Sequence, residues 1–218
     1  PLNAGGFTPQ NFDLQFSGAV AASEALARSL NVPFVRMLRD YGVRNFKDLL
    51  TSCGMTTLSR PPEDYGLSLI LGGAEGKLCE LTKIYALLSA YYQGFTDYLP
   101  TDWPLTDRCA IWWTFDALKE LNRPDELDKS LVSSLRRIAC TSYGFRDAWA
   151  IGVTRDYAVG VWAGNANGES APGLVGARTA GPVLFDIYNM LPSGEWFSEP
   201  SSRDYVYAEV CRKSGQLK

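Results

Sequence analysis

Ala148-Trp149-Ala150-Ile151-Gly152-Val153-Thr154-Arg155-Asp156-Tyr157-Ala158-Val159-Gly160-Val161-Trp162 is where the chain changes character. Two runs, 148–153 and 157–162, are rich in β-branched and aromatic residues, and Thr154-Arg155-Asp156 separates them, so they predict a β-hairpin. Both contain small residues (Ala148, Ala150, Gly152; Ala158, Gly160), which lets another element pack closely on one face. A glycine-rich loop, 164–176, follows. Pro182 to Leu191 then predicts a helix with proline in its first turn.

Upstream of Ser142 the signals are helical. After about 20 irregular residues rich in Gly, Pro and Asn, Ala21 to Leu30 are mostly good helix formers. Asn31 is a favoured N-cap for a helix with Pro33 in its first turn and Phe34, Val35 and Leu38 on its apolar side, stopping at Gly42. Phe46, Leu49 and Leu50 mark a third helix ending near Gly54. Tyr65 to Glu75 is an apolar, glycine-bounded, turn-rich stretch. Leu78, Leu81, Ile84, Tyr85, Leu88 and Tyr91 then recur at helical spacing, with Gly94 as the stop. After a loop over 95–106, Asp107 is a candidate cap for a helix whose apolar face reads Ala110, Trp113, Ala117, Leu118 and Leu121. Charged residues from Asn122 to Lys129 read as a linker. Helices first, then an antiparallel hairpin and a closing helix, make an α+β pattern.

The 218 residues are 46% apolar, enough to fill a core, and carry a net charge of −3. No basic block appears, so no nucleic-acid partner is expected. The five cysteines (Cys53, Cys79, Cys109, Cys140, Cys211) are far apart and odd in number; buried free thiols are the simplest reading. Histidine is absent, which removes every Ser-His, Cys-His and His-metal arrangement. No cofactor or metal is expected, and acyl-transfer chemistry would need Lys, Tyr, Ser, Asp or Glu as its base. There is no signal peptide and no apolar run of about 18 residues. The opening Pro1-Leu2-Asn3-Ala4-Gly5-Gly6 has neither an initiator Met nor a basic leader, and reads as cut from something longer.

Ser29-Leu30-Asn31 is the tripeptide of chemical interest, although Ser-x-Asn alone is a weak signal and Asn31 has its capping role as an alternative. Its surroundings are more specific. Pro9-Gln10-Asn11-Phe12-Asp13 followed by Ala25-Leu26-Ala27-Arg28-Ser29-Leu30-Asn31-Val32-Pro33, the run Tyr65 to Glu75, and Thr141-Ser142-Tyr143-Gly144-Phe145-Arg146-Asp147-Ala148-Trp149-Ala150 resemble the transpeptidase domain of bifunctional penicillin-binding proteins, the class A, type 1C branch. The resemblance covers roughly residues 5 to 200. It implies a penicillin-binding-protein/β-lactamase-like transpeptidase fold, incomplete here: a mainly helical part (1–140), then the β-hairpin and C-terminal helix (141–200), and a tail or linker over 201–218.

In that family a Ser-x-x-Lys turn supplies the nucleophile and its base, because a serine hydroxyl needs a nearby proton acceptor and a lysine with a lowered pKa can be one. The Ser-x-Asn motif binds the donor peptide and relays a proton. A Lys-Thr-Gly strand binds the substrate carboxylate and shapes the oxyanion hole. The resemblance therefore assigns catalytic roles to Ser29 and Asn31, and substrate-binding roles to Thr141 and Ser142. Arg146, at the start of the hairpin, is a further candidate for attracting a substrate carboxylate, with an ion pair to Asp147 that fixes the strand ends as its alternative. Two parts of the pattern are missing. No Ser stands three residues before any Lys, and Ile138-Ala139-Cys140-Thr141-Ser142 stands where the family has an apolar pair, an aromatic and then Lys-Thr-Gly-Thr-Ser, so the Lys-Thr-Gly before Thr141 is missing, either by true loss or by omission from the chain. Lys213-Ser214-Gly215 fits Lys-[Ser/Thr]-Gly only as a string, in a polar tail.

By resemblance the parent is a membrane-anchored peptidoglycan synthase on the periplasmic face of the bacterial inner membrane. It would cross-link stem peptides through a seryl acyl-enzyme. β-lactams are expected partners only if the nucleophile is present, and this chain alone is expected to be inactive. The alternative is a non-catalytic peptidoglycan-binding or protein-interaction module derived from the same fold. A hairpin without its neighbouring strands would expose edges, so self-association of the chain is expected. Trp112 and Trp113 suggest a carbohydrate platform, but helical spacing places Trp113 in the core and Trp112 at the surface.

Overall fold

The computed structural model describes residues 8–11, 14, 18–119, 138–141, 147–165, 169, 176–192, 194–211, 214 and 216–217, with backbone only at 138–141 and 176–178. Among them the helices are α1 (Ala22–Ala27), α2 (Asn31–Tyr41), α3 (Val43–Ser52), α4 (Pro62–Tyr65), α5 (Leu78–Gln93), α6 (Arg108–Lys119) and α7 (Gly176–Met190). The strands β1 (Ile138–Thr141), β2 (Asp147–Val153) and β3 (Ala158–Gly164) form one antiparallel sheet in the order β1-β2-β3. The expected linker over 122–129 lies outside the described residues, as does most of the 164–176 loop.

The expected hairpin forms, with Trp149 opposite Trp162 and Val153 opposite Ala158, and β1 adds a third strand on the far side of β2. The small residues have the role their size suggested, on both faces of the sheet. Ala148 and Ala150 are fully buried beneath Ala180, Leu184 and Tyr188 of α7, with Val159, Val161 and Ala163 alongside. On the other face α5 comes so close to β3 that a Cβ on Gly160 would run into Thr82 Oγ1 and lie 3.0 Å from Leu78 Cδ1. The result is a sheet covered on both sides, which explains why β2 reads as a nearly continuous apolar run.

α7 begins at Gly176, six residues before the proline that was expected in its first turn, so Pro182 sits inside the helix. An internal proline loses one hydrogen bond and crowds the preceding turn. The seating of buried Ala180 and Gly181 against the alanines of β2 offsets that cost.

α6 corrects a second expectation. Its buried side is Ile111, Trp112, Phe115, Ala117 and Leu118, while Ala110 and Trp113 face outward. Trp112 is therefore the core tryptophan and Trp113, 41% exposed, the surface one, the reverse of the sequence reading. Both stripes are apolar; what separates them is the second layer, since Val153 of β2 and Phe197 complete the cluster around Phe115. Asp107 does cap α6, accepting from Ala110 N–H at 2.9 Å.

α2 and α3 meet at Gly42, whose φ of 96° ends the first helix, and α5 stops at left-handed Gly94 as expected. The Tyr65–Glu75 run folds as the end of α4 and a 3-10 turn over Gly66–Leu71, with Tyr65 and Leu69 buried against Leu38, Met55 and Leu58. Polar contacts tie this region together. Arg60 pairs with both Glu75 oxygens at 3.0 Å and lies over the Tyr65 ring. Glu80 accepts from the Thr56 hydroxyl, the Thr56 N–H and Lys77. Those donors, the Thr56 hydroxyl first, hold the Glu80 carboxyl down at about 2.

Cys53 and Cys79 are free thiols, the first buried and the second exposed. The expectation of buried thiols therefore fails for Cys79, which lies in the outer first turn of α5. Burial pushes the Cys53 thiol pKa up. Beyond α7 the described residues show no helix or strand, apart from a bridge between Val210 and Leu217. No helix of the described residues is long and apolar enough to cross a membrane.

Candidate functional site at the junction of the first two helices

Helix α1 ends in a Schellman arrangement. Leu30 N–H donates to Ala25 O at 2.9 Å and Ser29 N–H to Leu26 O at 3.0 Å, and the accompanying apolar pair, Ala25 and Leu30, is buried. The position just past the cap must be left-handed, which is why glycine usually occupies it. Here it is Ser29, with φ 51°. A serine there is strained by roughly 1–2 kcal/mol relative to glycine.

Asn31 is the first residue of α2 and not its cap; Leu30 holds the cap position and makes no side-chain cap bond. The cap comes from far away in sequence, because the buried Asn11 side chain accepts from Val32 N–H at 3.1 Å. Asn31 returns the contact, its Nδ2 donating to Gln10 O at 2.9 Å. The reason for the correction is tertiary: with Pro9 and Asn11 buried beside it, the junction receives its acceptor from the neighbouring segment, and the Asn31 amide is used to hold that segment. No sequence pattern links Asn11 to a helix N–H 21 residues later. The quoted Pro9-Gln10-Asn11 run was the only hint.

These two bonds fix Asn31 with its amide nitrogen occupied. Among the described residues nothing donates to its Oδ1, and the Ser29 hydroxyl has no partner. The junction thus presents one free hydroxyl and one free amide oxygen, two residues apart on a rigid turn. Such an arrangement can accept a peptide N–H and pass on a proton.

Thr141 lies elsewhere, at the end of β1 and in register with Ala150, the residue buried beneath α7. α1 packs on α6 and α6 on β1, while neither α1 nor α2 touches β1. Ser29 and Asn31 stand together at the junction, and among the described residues no contact joins β1, with Thr141, to α1 or α2. Ser142 and Arg146 lie outside the described residues.

No family profile matches the chain. It is 34% identical over 224 residues to Penicillin-binding protein 1C of Escherichia coli, an alignment covering 99% of this chain and 29% of that protein. It is 26% identical over 180 residues to Penicillin-binding protein 4 of Bacillus subtilis, covering 72% of this chain and 28% of that one. The chain thus spans less than a third of the length of these relatives. Among solved structures, Penicillin-Binding Protein 1A from Haemophilus influenzae matches all of the chain over 41% of its own length, with a TM-score of 0.72 at 14% identity. The PonA1 protein from Mycobacterium tuberculosis in complex with penicillin V matches 92% of the chain over 64% of its own, with a TM-score of 0.62 at 17% identity. Similarity to the Escherichia coli protein along almost its whole length, together with these two likenesses of fold, means that the chain belongs to the penicillin-binding proteins, as part of the transpeptidase region of a class A, type 1C member.

Proposed function

We propose that this chain carries the Ser-x-Asn element of a peptidoglycan D,D-transpeptidase, with Asn31 Oδ1 accepting an amide N–H of a stem peptide and Ser29 passing a proton in the acyl transfer. The single observation behind this reading is Ser29 itself. A side chain is kept at a left-handed position where glycine costs less, its hydroxyl is free, and strain of that kind collects at functional sites. Thr141, Ser142 and Arg146 are the proposed contacts for the substrate carboxylate. The setting would be the periplasmic face of the inner membrane.

The 218 residues contain no Ser-x-x-Lys, so this chain by itself should not form an acyl-enzyme. Intact-mass measurement with and without benzylpenicillin tests this. An unchanged mass is expected; a stable 1:1 adduct would show that another serine serves as nucleophile and would overturn the proposal.

A second reading, a non-catalytic peptidoglycan-binding or protein-interaction module, is favoured by one observation: β1 runs Ile138-Ala139-Cys140-Thr141 with no Lys-Thr-Gly ahead of Thr141. Calorimetric titration with a stem pentapeptide separates the two. Binding that drops about tenfold or more in Asn31→Ala supports recognition at the junction. Binding unaffected by that change places recognition elsewhere.

A further inference from the structure

On the outer side of α5 and α6 an open cavity of about 640 Å³ is lined by residues that include Tyr92, Asp107, Arg108, Cys109, Ser198 and Asp204. It belongs neither to the Ser29-Asn31 junction nor to β1. The return segment after α7 forms its far wall, held by Tyr92 O–H donating to Ser198 O and by Cys109 Sγ against Asp204 O at 3.5 Å. Among the described residues, the Asp204 carboxylate and the Arg108 guanidinium have no ion-pair partner, Arg108 only lying over the Tyr91 ring. The cavity thus holds an acceptor and a donor available to a ligand, with Asp107 beside them.

The cavity continues into an aromatic ridge. Trp113 lies one helical turn beyond Cys109 on α6, and Tyr205 follows Asp204. Trp113 and Tyr205 meet edge to face with centroids 5.9 Å apart, and Tyr205 and Tyr207 do the same at 5.2 Å. Trp113 is 41% and Tyr207 78% exposed. Surface aromatics of this size are normally tucked in or covered, because each offers a large apolar area to water. Tyr205 is pinned through its hydroxyl to Glu199 at 3.1 Å, which holds the ridge in place before any ligand arrives.

We infer that the cavity and ridge together bind a short, uncharged oligosaccharide. The apolar C–H face of a pyranose stacks on exposed aromatic rings, and the ridge offers rings spaced at about one sugar unit. Hydroxyl and acetamido groups are met at the cavity end by Asp204 as acceptor and Arg108 as donor. Charge argues against an anionic ligand, since Asp107, Glu199 and Asp204 surround a single guanidinium. The long apolar interior that would suit a lipid or hydrophobic peptide is absent among the lining residues. The inference is independent of the Ser29-Asn31 reading.

The test is a ¹H–¹⁵N titration of the whole chain with a β-1,4-linked N-acetylglucosamine tetrasaccharide. Saturable shifts including the Trp113 indole N–H are expected. Trp113→Ala should weaken binding about tenfold or more, and Tyr207→Ala, at a site too exposed to affect folding, should also weaken it. Trp113→Phe, which keeps a stacking face, should retain most of it. No saturable shift at about 10 mM sugar, or binding that survives both alanine substitutions, would overturn the proposal. So would shifts of the same resonances by a stem pentapeptide but not by the sugar.

Discussion

Ser29 holds a left-handed backbone that glycine would adopt at less cost, so the two roles of the residue, structural and chemical, can be pulled apart. Ser29→Gly should leave stability unchanged or raise it by up to about 1 kcal/mol, while weakening whatever uses the hydroxyl. Urea denaturation alongside peptide titration measures both; a clear loss of stability would mean that the side chain serves the fold. Glu80 makes a pH prediction of definite sign. Its carboxyl is held at about 2, below its ordinary 4.5, so the folded state favours the ionised form. That contribution is present above about pH 4.5 and is lost as pH falls toward 2. Glu80→Gln should therefore flatten the acid limb of a plot of urea midpoint against pH across that window. An unchanged limb would place acid sensitivity in other carboxylates.

At the level of elements, the contacts that matter join segments distant in sequence. Asn11 caps α2 from outside the helix, and Asn11→Ala should cost about 0.5–2 kcal/mol, a local cap loss that leaves a buried N–H unpaired. The approach of β3 to α5 allows no Cβ at Gly160. Gly160→Val, although it raises β propensity, should destabilise by about 1–3 kcal/mol through overpacking. Thermal unfolding of the two variants checks both values, and a stabilised Gly160→Val would show that α5 can shift away from the sheet at little cost.

For the whole molecule, the outer edge of β3 is unpaired among the described residues. Its sequence, Ala158 to Gly164, carries no charge and no proline, the features that usually protect an edge from pairing with another chain. The chain is accordingly expected to self-associate as its concentration rises, with mass read by light scattering after size exclusion. A monomer at every concentration would mean that the edge is covered within the chain.

How much of this was legible beforehand follows from the range of each interaction. Local signals carried the α+β order, the hairpin, the stops at Gly42 and Gly94 and the Asp107 cap, because period, turn chemistry and capping act within a few residues. The family was legible from three runs of residues, Tyr65–Glu75 among them. The sequence could also place Ser29 and Asn31 two residues apart. It could not show that Asn31 holds Gln10 instead of capping its helix, since that depends on a segment some 20 residues away. Nor could periodicity choose between the two apolar stripes of α6 or start α7 ahead of Pro182. Those choices fell to the tertiary structure, because burial is settled by which surface the neighbouring layer covers, and that surface is assembled from distant parts of the chain.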